Sequence, residues 1–152
     1  MGDEQPKPSE VRKKILAEHV ALRTHLDALD AIADRLAAGE GVLDEARAAA
    51  STLHAALVAH MKDEEAILVP ALAEADGFGP ACVADLQREH VEQGEVLGAL
   101  LREIGGAPGS AELESRIREL VRRIREDMAH EESVHLAPGV LKDSVVTTSF
   151  GG

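Results

Sequence analysis

The chain has no Trp, no Tyr and only two Phe, Phe78 and Phe150, and it carries a single cysteine, Cys82. It also lacks positive charge: 16 basic residues face 28 acidic ones, for a formal charge of −12. That balance repels phosphate backbones, and the missing aromatics remove the means of stacking bases, so nucleic acid is excluded as a partner. A lone cysteine excludes a disulfide framework and fits a reducing compartment. No apolar run nears the ~18 residues that a membrane span needs. The opening MGDEQPKPSE has neither the basic nor the apolar part of a secretory signal. Together these absences predict a cytoplasmic protein with no membrane partner.

What is there to build a core is aliphatic. The 152 residues include 25 Ala and 18 Leu, both strong helix formers, and the length suits one domain. Turn formers divide the chain into four segments. Pro6, Pro8 and Ser9 precede the first, with Ser9 as its expected N-cap, and Gly39-Glu40-Gly41 ends it. The second runs from about Val42 to Ala75, with Pro70 expected to kink or end its regular part. The third opens at Pro80 and closes at Gly105-Gly106; the fourth runs from Ser110 to about Leu136, before Pro138. Apolar residues step by threes and fours in each: Ile15, Leu22, Leu26, Leu29, Ala33 and Leu36; then Leu43, Ala46, Ala50, Leu53, Leu57 and Ile67. The third segment gives Val83, Leu86, Leu97, Leu100 and Ile104, and the fourth Leu113, Ile117, Leu120, Ile124 and Val134. With short connections this predicts an all-α, up-down-up-down four-helix bundle over residues 10–138, preceded by a flexible N-terminus, 1–9, and followed by a tail, 139–152.

Ionisable residues interrupt each stripe. His19 fills the gap between Ile15 and Leu22; His60 and Glu64 follow Leu57; His90 follows Leu86; Asp127 and Glu131 follow Ile124. Counted from the two hairpin bends at 1.5 Å per residue, His19, His60, His90 and Asp127 lie within roughly 5 Å of one level. Glu64 and Glu131 sit one turn further on the same faces. Carboxylates and imidazoles converging inside an aliphatic bundle need something to bind, and the pattern is that of a coordination sphere. The halves also echo each other after about 70 residues: Glu18-His19-Val20 returns as Glu89-His90-Val91, and His60 to Glu65 before Pro70 returns as Asp127 to Glu132 before Pro138. Each hairpin then supplies half of a two-fold site, suited to two metal ions.

In this order and spacing, the Glu-His pairs, the His-x-x-x-Glu-Glu run ahead of Leu-x-Pro and the second Glu-Glu ahead of Pro resemble the hemerythrin-like (HHE cation-binding) family, from about residue 10 to 138. The resemblance implies a non-haem centre of two iron ions, Fe2+ or Fe3+ with an oxo or hydroxo bridge. It also implies a small diatomic or peroxide ligand: O2 binding, NO or peroxide handling, or iron sensing. His19, His60, Glu64, His90 and Glu131 match the family's ligand positions. The chain departs from the pattern on the fourth helix, where Asp127 stands in place of a His; either Asp127 or His130 is the ligand there, or both bind. Gly94, one turn after His90, replaces the second third-helix His of the oxygen carriers and is expected to leave a coordination position open. Fewer imidazoles and more carboxylates favour ferric iron over reversible O2 carriage.

Other readings remain. A ferritin-type oxidase needs Glu-x-x-His on two helices, and only Glu132-x-x-His135 fits. A zinc-binding or degenerate interaction bundle, or an iron-sensing or iron-storage protein, would use the same bundle. Glu65 and Glu132 are expected to face solvent, His135 to end the fourth helix, His25 and His54 to flank the seam, and Cys82 to be a small helix residue. The tail is expected to be a lid over the metal end, a peptide that docks onto a larger assembly, or a disordered terminus. The lid reading rests on Phe78 and Phe150 belonging to that end.

Overall fold

A computed structural model describes residues 5–75, 79–106 and 109–143. Helix α1 spans Pro8–Ala37, α2 Leu43–Asp63, α3 Val69–Ala73, α4 Gly79–Gly105 and α5 Ser110–Val134. A single π-helical turn, Glu64–Leu68, joins α2 to α3, so these form one continuous rod and the fold is a four-rod bundle with no strand among the described residues. Helix α1 packs against both α2 and α5, and α4 closes the ring against α5 and the α2–α3 rod.

The ends follow local chemistry. Gly39, at φ 83°, stops α1 in a Schellman turn, in which its own N–H donates to the Leu36 carbonyl and that of Glu40 to the Arg35 carbonyl. At the start, Lys7 rather than Ser9 holds the N-cap position. Ser9 lies inside the first turn, where its N–H and hydroxyl donate to the Asp143 carboxylate at 2.7 and 2.6 Å. An anion there satisfies an orphan donor and complements the helix dipole. Gly79 is needed for close approach, since a Cβ at that position would collide with the Leu72 carbonyl oxygen.

Pro70 does not end its helix. Lacking an N–H and crowding the carbonyl four residues back, it is accommodated by the widened turn before it, closed by the Val69 N–H on the Glu64 carbonyl. The extra residue shifts the helical phase, so Leu68 is buried where Ile67 was expected. On α5 the buried row steps from Ile124 to Met128, Glu131 and His135, which leaves Asp127 half-buried beside it and Val134 exposed.

The apolar interior is divided in two. The larger cluster runs from Leu22 to Leu36 on α1 and meets Ala46 to Leu57, Leu97 to Ile104 and Leu113 to Met128. The smaller contains Val11, Ile15, Leu68, Leu72, Cys82, Leu86, Leu136 and Leu141. Leu141 thus brings the first residues after α5 onto the end where α1 and α4 begin, and Arg12 Nε donates to the Leu136 carbonyl at 2.6 Å. Phe78, Phe150 and the tail beyond residue 143 lie outside the described residues. Between the clusters lies a polar layer.

Gly94 is exposed in the middle of α4, and a Cβ added there meets nothing within 4 Å. Gly94→Ala is expected to raise stability by about 0.5–1 kcal/mol, read as a higher urea midpoint by circular dichroism at unchanged m-value.

Candidate metal centre

The polar layer is built from one residue per turn on each rod. His19 comes from α1, His60 and Glu64 from α2 and the turn after it, His90 from α4 and Glu131 from α5. His19, His60, Glu64 and Glu131 are buried, and each offers an atom within 4.8 Å of the others. His19 Nε2 lies 3.2 Å from Glu131 Oε1, and His60 Nε2 lies 2.8 Å from Glu64 Oε1. His90 Nε2 reaches the same Glu64 oxygen at 3.2 Å from the opposite side. The His19 and His60 rings meet edge to face at 4.9 Å.

Each of the three imidazoles is held from behind by a carboxylate. His19 Nδ1 lies 2.9 Å from Glu132, His60 Nδ1 2.8 Å from Glu18 and His90 Nδ1 2.8 Å from Glu65. Nδ1–H donating to a carboxylate fixes the tautomer and turns Nε2 inward as a lone-pair donor, the arrangement that orients metal-ligating histidines. Glu65 and Glu132, expected on a solvated face, therefore hold ligand candidates, and Glu18 does the same. The adjacent Glu-His and Glu-Glu pairs explain this: one member of each pair faces the layer while its neighbour, about 100° round the helix, reaches across to the next rod. Arg23 adds a 2.5 Å contact to Glu132.

The remaining sequence candidates fall elsewhere. Asp127 is not brought to the buried group; it accepts from Gln93 Nε2 at 3.1 Å, because Met128 occupies the seam. His130 also stands apart, half-exposed, with Nε2 3.0 Å from Asp85. His135, expected merely to end its helix, is fully buried, and with Asp85, Glu89 and His130 it forms a second cluster that the seam pattern missed. The five-residue spacing of His130 and His135, and the one-turn spacing of Asp85 and Glu89, were the signals available for it. His54 is exposed, and His25 lines a cleft of about 180 Å³ between α1 and α2 beside Glu18 and His60.

The sequence profile of the hemerythrin HHE cation binding domain matches residues 11–137. The chain belongs to this family. No curated protein and no solved structure matches it. The HHE match makes the bundle a metal-binding one, and the polar layer fits a cation on its own terms. Three of its atoms, His19 Nε2, Glu64 Oε2 and Glu131 Oε1, are buried without a hydrogen-bond partner among the described residues. Unpaired buried acceptors are costly, and a cation satisfies them together.

Protons do part of that work in the metal-free HHE bundle. Burial, reinforced by ionised Glu64, drives the Glu131 carboxyl far above the usual carboxylate range. Burial also opposes ionisation of Glu64, but hydrogen bonds from His60, His90 and Glu131 outweigh it and hold that carboxyl well below its ordinary value. His60 and His90 are disfavoured as cations by burial, yet the carboxylates on both sides of each ring raise them. His19 is lowered, chiefly by burial, against the pull of Glu132. A cation would replace the proton on Glu131 and compete with protonation of His60 and His90.

Three outcomes are expected. Metal binding releases at least the Glu131 proton, measured in weakly buffered solution with an indicator dye, and affinity rises with pH accordingly. Glu132→Gln or Glu18→Gln lowers metal affinity about 10- to 100-fold in chelator competition, because a neutral amide holds the imidazole less firmly and makes it less basic than a carboxylate does. Glu131 is protonated in the folded metal-free protein and ionised when unfolded. Its contribution is therefore fully present below the ordinary value of 4.5 and is lost as pH rises. Glu131→Gln keeps the neutral shape, so at pH 8 the metal-free variant is more stable than the parent by more than about 1 kcal/mol, with the gap closing toward pH 4 in thermal melts.

Proposed function

We propose that this protein is a non-haem di-iron protein that reacts with a small oxidant, O2, peroxide or NO, rather than carrying O2 reversibly. The observation that carries the reading is the set of three carboxylate-anchored imidazoles whose Nε2 atoms converge on Glu64 and Glu131. His19 and His60 would hold iron on one side of the layer and His90 on the other, with Glu64 between His60 and His90 and Glu131 beside His19. Three imidazoles and two carboxylates are too many donors for one tetrahedral zinc and suit a pair of higher-coordinate ions. The two carboxylates stabilise ferric iron, which favours oxidation over release of bound O2. Iron bound here supplies electrons to the oxidant.

The two positions differ in access. His19 is sealed between the apolar clusters, whereas the His90 side chain is 10% exposed at the edge of an open groove of about 570 Å³. That groove is lined by Val58, Met61, Lys62, Glu65 and Ala66. Its largely apolar wall suits a small uncharged ligand, and His90, the sole imidazole of its position, leaves room for one. Gly94 is exposed, and no side chain projects from it. Among the described residues no helix is long and apolar enough to cross a membrane.

Elemental analysis of protein refolded with ferrous iron tests the metal assignment, with about two irons per chain and near-ultraviolet ferric charge-transfer absorption expected after aeration. The absence of Trp and Tyr keeps the background low. One zinc and no iron would overturn it. Anaerobic ferrous protein is then mixed separately with O2, H2O2 and NO. Irreversible oxidation within a single turnover is expected, and recovery of the ferrous spectrum on removing O2 would sink the reactive reading in favour of carriage.

A further inference from the structure

We propose that Asp85, Glu89, His130 and His135 form a second, solvent-facing site for a first-row divalent cation on the α4–α5 face, separate from the buried centre. The four residues each offer one ligand atom, all within 4.8 Å of one another. Asp85 Oδ2 stands 3.0 Å from Nε2 of both His130 and His135, and Glu89 Oε1 stands 3.3 Å from His130 Nε2. Donors about 2.0–2.1 Å from a tetrahedral ion lie roughly 3.3–3.4 Å apart, so the cluster is already near the span of a coordination polyhedron. The His130 and His135 rings sit edge to face at 5.8 Å, both directed at the same carboxylate.

Hydrogen bonding within the cluster does not account for it. His130 bonds to Asp85, which explains one ring. His135 is 0% exposed; its Nε2 is aimed at the Asp85 oxygen from 3.0 Å, and neither ring nitrogen is hydrogen-bonded among the described residues. Glu89 Oε2 is likewise buried and unpartnered among the described residues. A buried imidazole without a partner carries the full desolvation cost of its polar atoms, and a cation between it and the two carboxylates removes that cost.

The internal repeat explains why the cluster arises here. Glu18 anchors His60; its counterpart Glu89 would anchor the residue matching His60 on α5, which is Asp127. With no imidazole at that position to hold toward the buried layer, Glu89 lies within 3.3 Å of His130 instead. Two imidazoles with two carboxylates favour zinc-like or manganese-like ions over Mg2+ and Ca2+, which prefer all-oxygen shells. His130, 48% exposed, gives the ion direct entry from solvent, so this site exchanges faster than the buried one.

The test uses the full chain, stripped of metal and titrated anaerobically with Co2+ under equilibrium dialysis and visible spectroscopy. Asp85→Asn with His130→Ala is expected to lose one bound equivalent relative to the parent, or to bind it at least tenfold more weakly. His60→Ala with Glu131→Gln, which disables the buried layer, is expected to keep that equivalent. Unchanged binding by the first double variant overturns the proposal, as does complete loss of Co2+ binding by the second when it remains folded by circular dichroism. Unchanged binding by the second variant instead counts against the buried centre. If either variant fails to fold, the His130 ring resonances of the parent decide. Zn2+ must shift them at about one equivalent beyond the buried sites, and resonances that never move refute the site.

Discussion

Everything in this bundle is arranged around the burial of two carboxylates, Glu64 and Glu131, in a layer closed above and below by aliphatic side chains. Two ionised carboxylates with ligand atoms within 4.8 Å of each other in a low-dielectric interior repel strongly and lose their hydration, a cost on the order of several kcal/mol for each if uncompensated. The chain meets it with imidazole nitrogens placed around both groups: the Nε2 atoms of His60 and His90 around Glu64, and that of His19 beside Glu131. In the absence of metal the compensation is incomplete and Glu131 keeps a proton. The layer is therefore poised for cations in a simple sense: its best-satisfied state without them requires protons that a cation displaces.

The rest of the architecture holds the imidazoles still. Each ring is pinned by a carboxylate from a different rod, Glu18 from α1 to α2, Glu65 from the π turn to α4 and Glu132 from α5 to α1. These contacts tie neighbouring rods at the level of the layer, where apolar packing is interrupted. Further along, Arg125 with Asp27 and Asp30, and Arg118 with Asp34, join α1 to α5 on the outside. Such exposed pairs contribute little on their own, so the alignment of the rods rests on the two apolar clusters. The π turn belongs to the same logic, since the widened turn that accommodates Pro70 starts at Glu64 and spans both Glu64 and Glu65.

Much of this was readable in the chain because bundle geometry turns sequence spacing into depth. The interruptions of the apolar stripes at His19, His60, Glu64, His90 and Glu131 correspond to residues of one layer, since a seam position cannot be polar without being buried. Spacing ceases to report depth where the helical phase changes. A π turn adds a residue without any mark beyond Pro70, so Ile67 and Leu68 exchanged roles. On α5 the choice between a three-step and a four-step after Ile124 decided whether Asp127 or Met128 faced inward. Spacing allows both, but burying a thioether costs far less than burying a carboxylate. Glu18, Glu65 and Glu132 were illegible for another reason: whether an acidic neighbour of a ligand candidate faces water or reaches an imidazole depends on the adjacent rod.

The loss of strict two-fold character is the feature that gives the centre a direction. Were position 127 a His anchored by Glu89, the two halves would offer equivalent imidazole pairs. Instead the α1–α2 side has two anchored rings and the α4–α5 side has one, and Glu89 faces the α4–α5 surface. Two ions in this layer would sit in unequal fields, the one beside His19 and His60 enclosed and nitrogen-rich, the one beside His90 more oxygen-rich and next to the groove. The same substitution frees Glu89 to join His130 and His135, so a single departure from the repeat accounts both for an asymmetric buried layer and for the second cluster outside it.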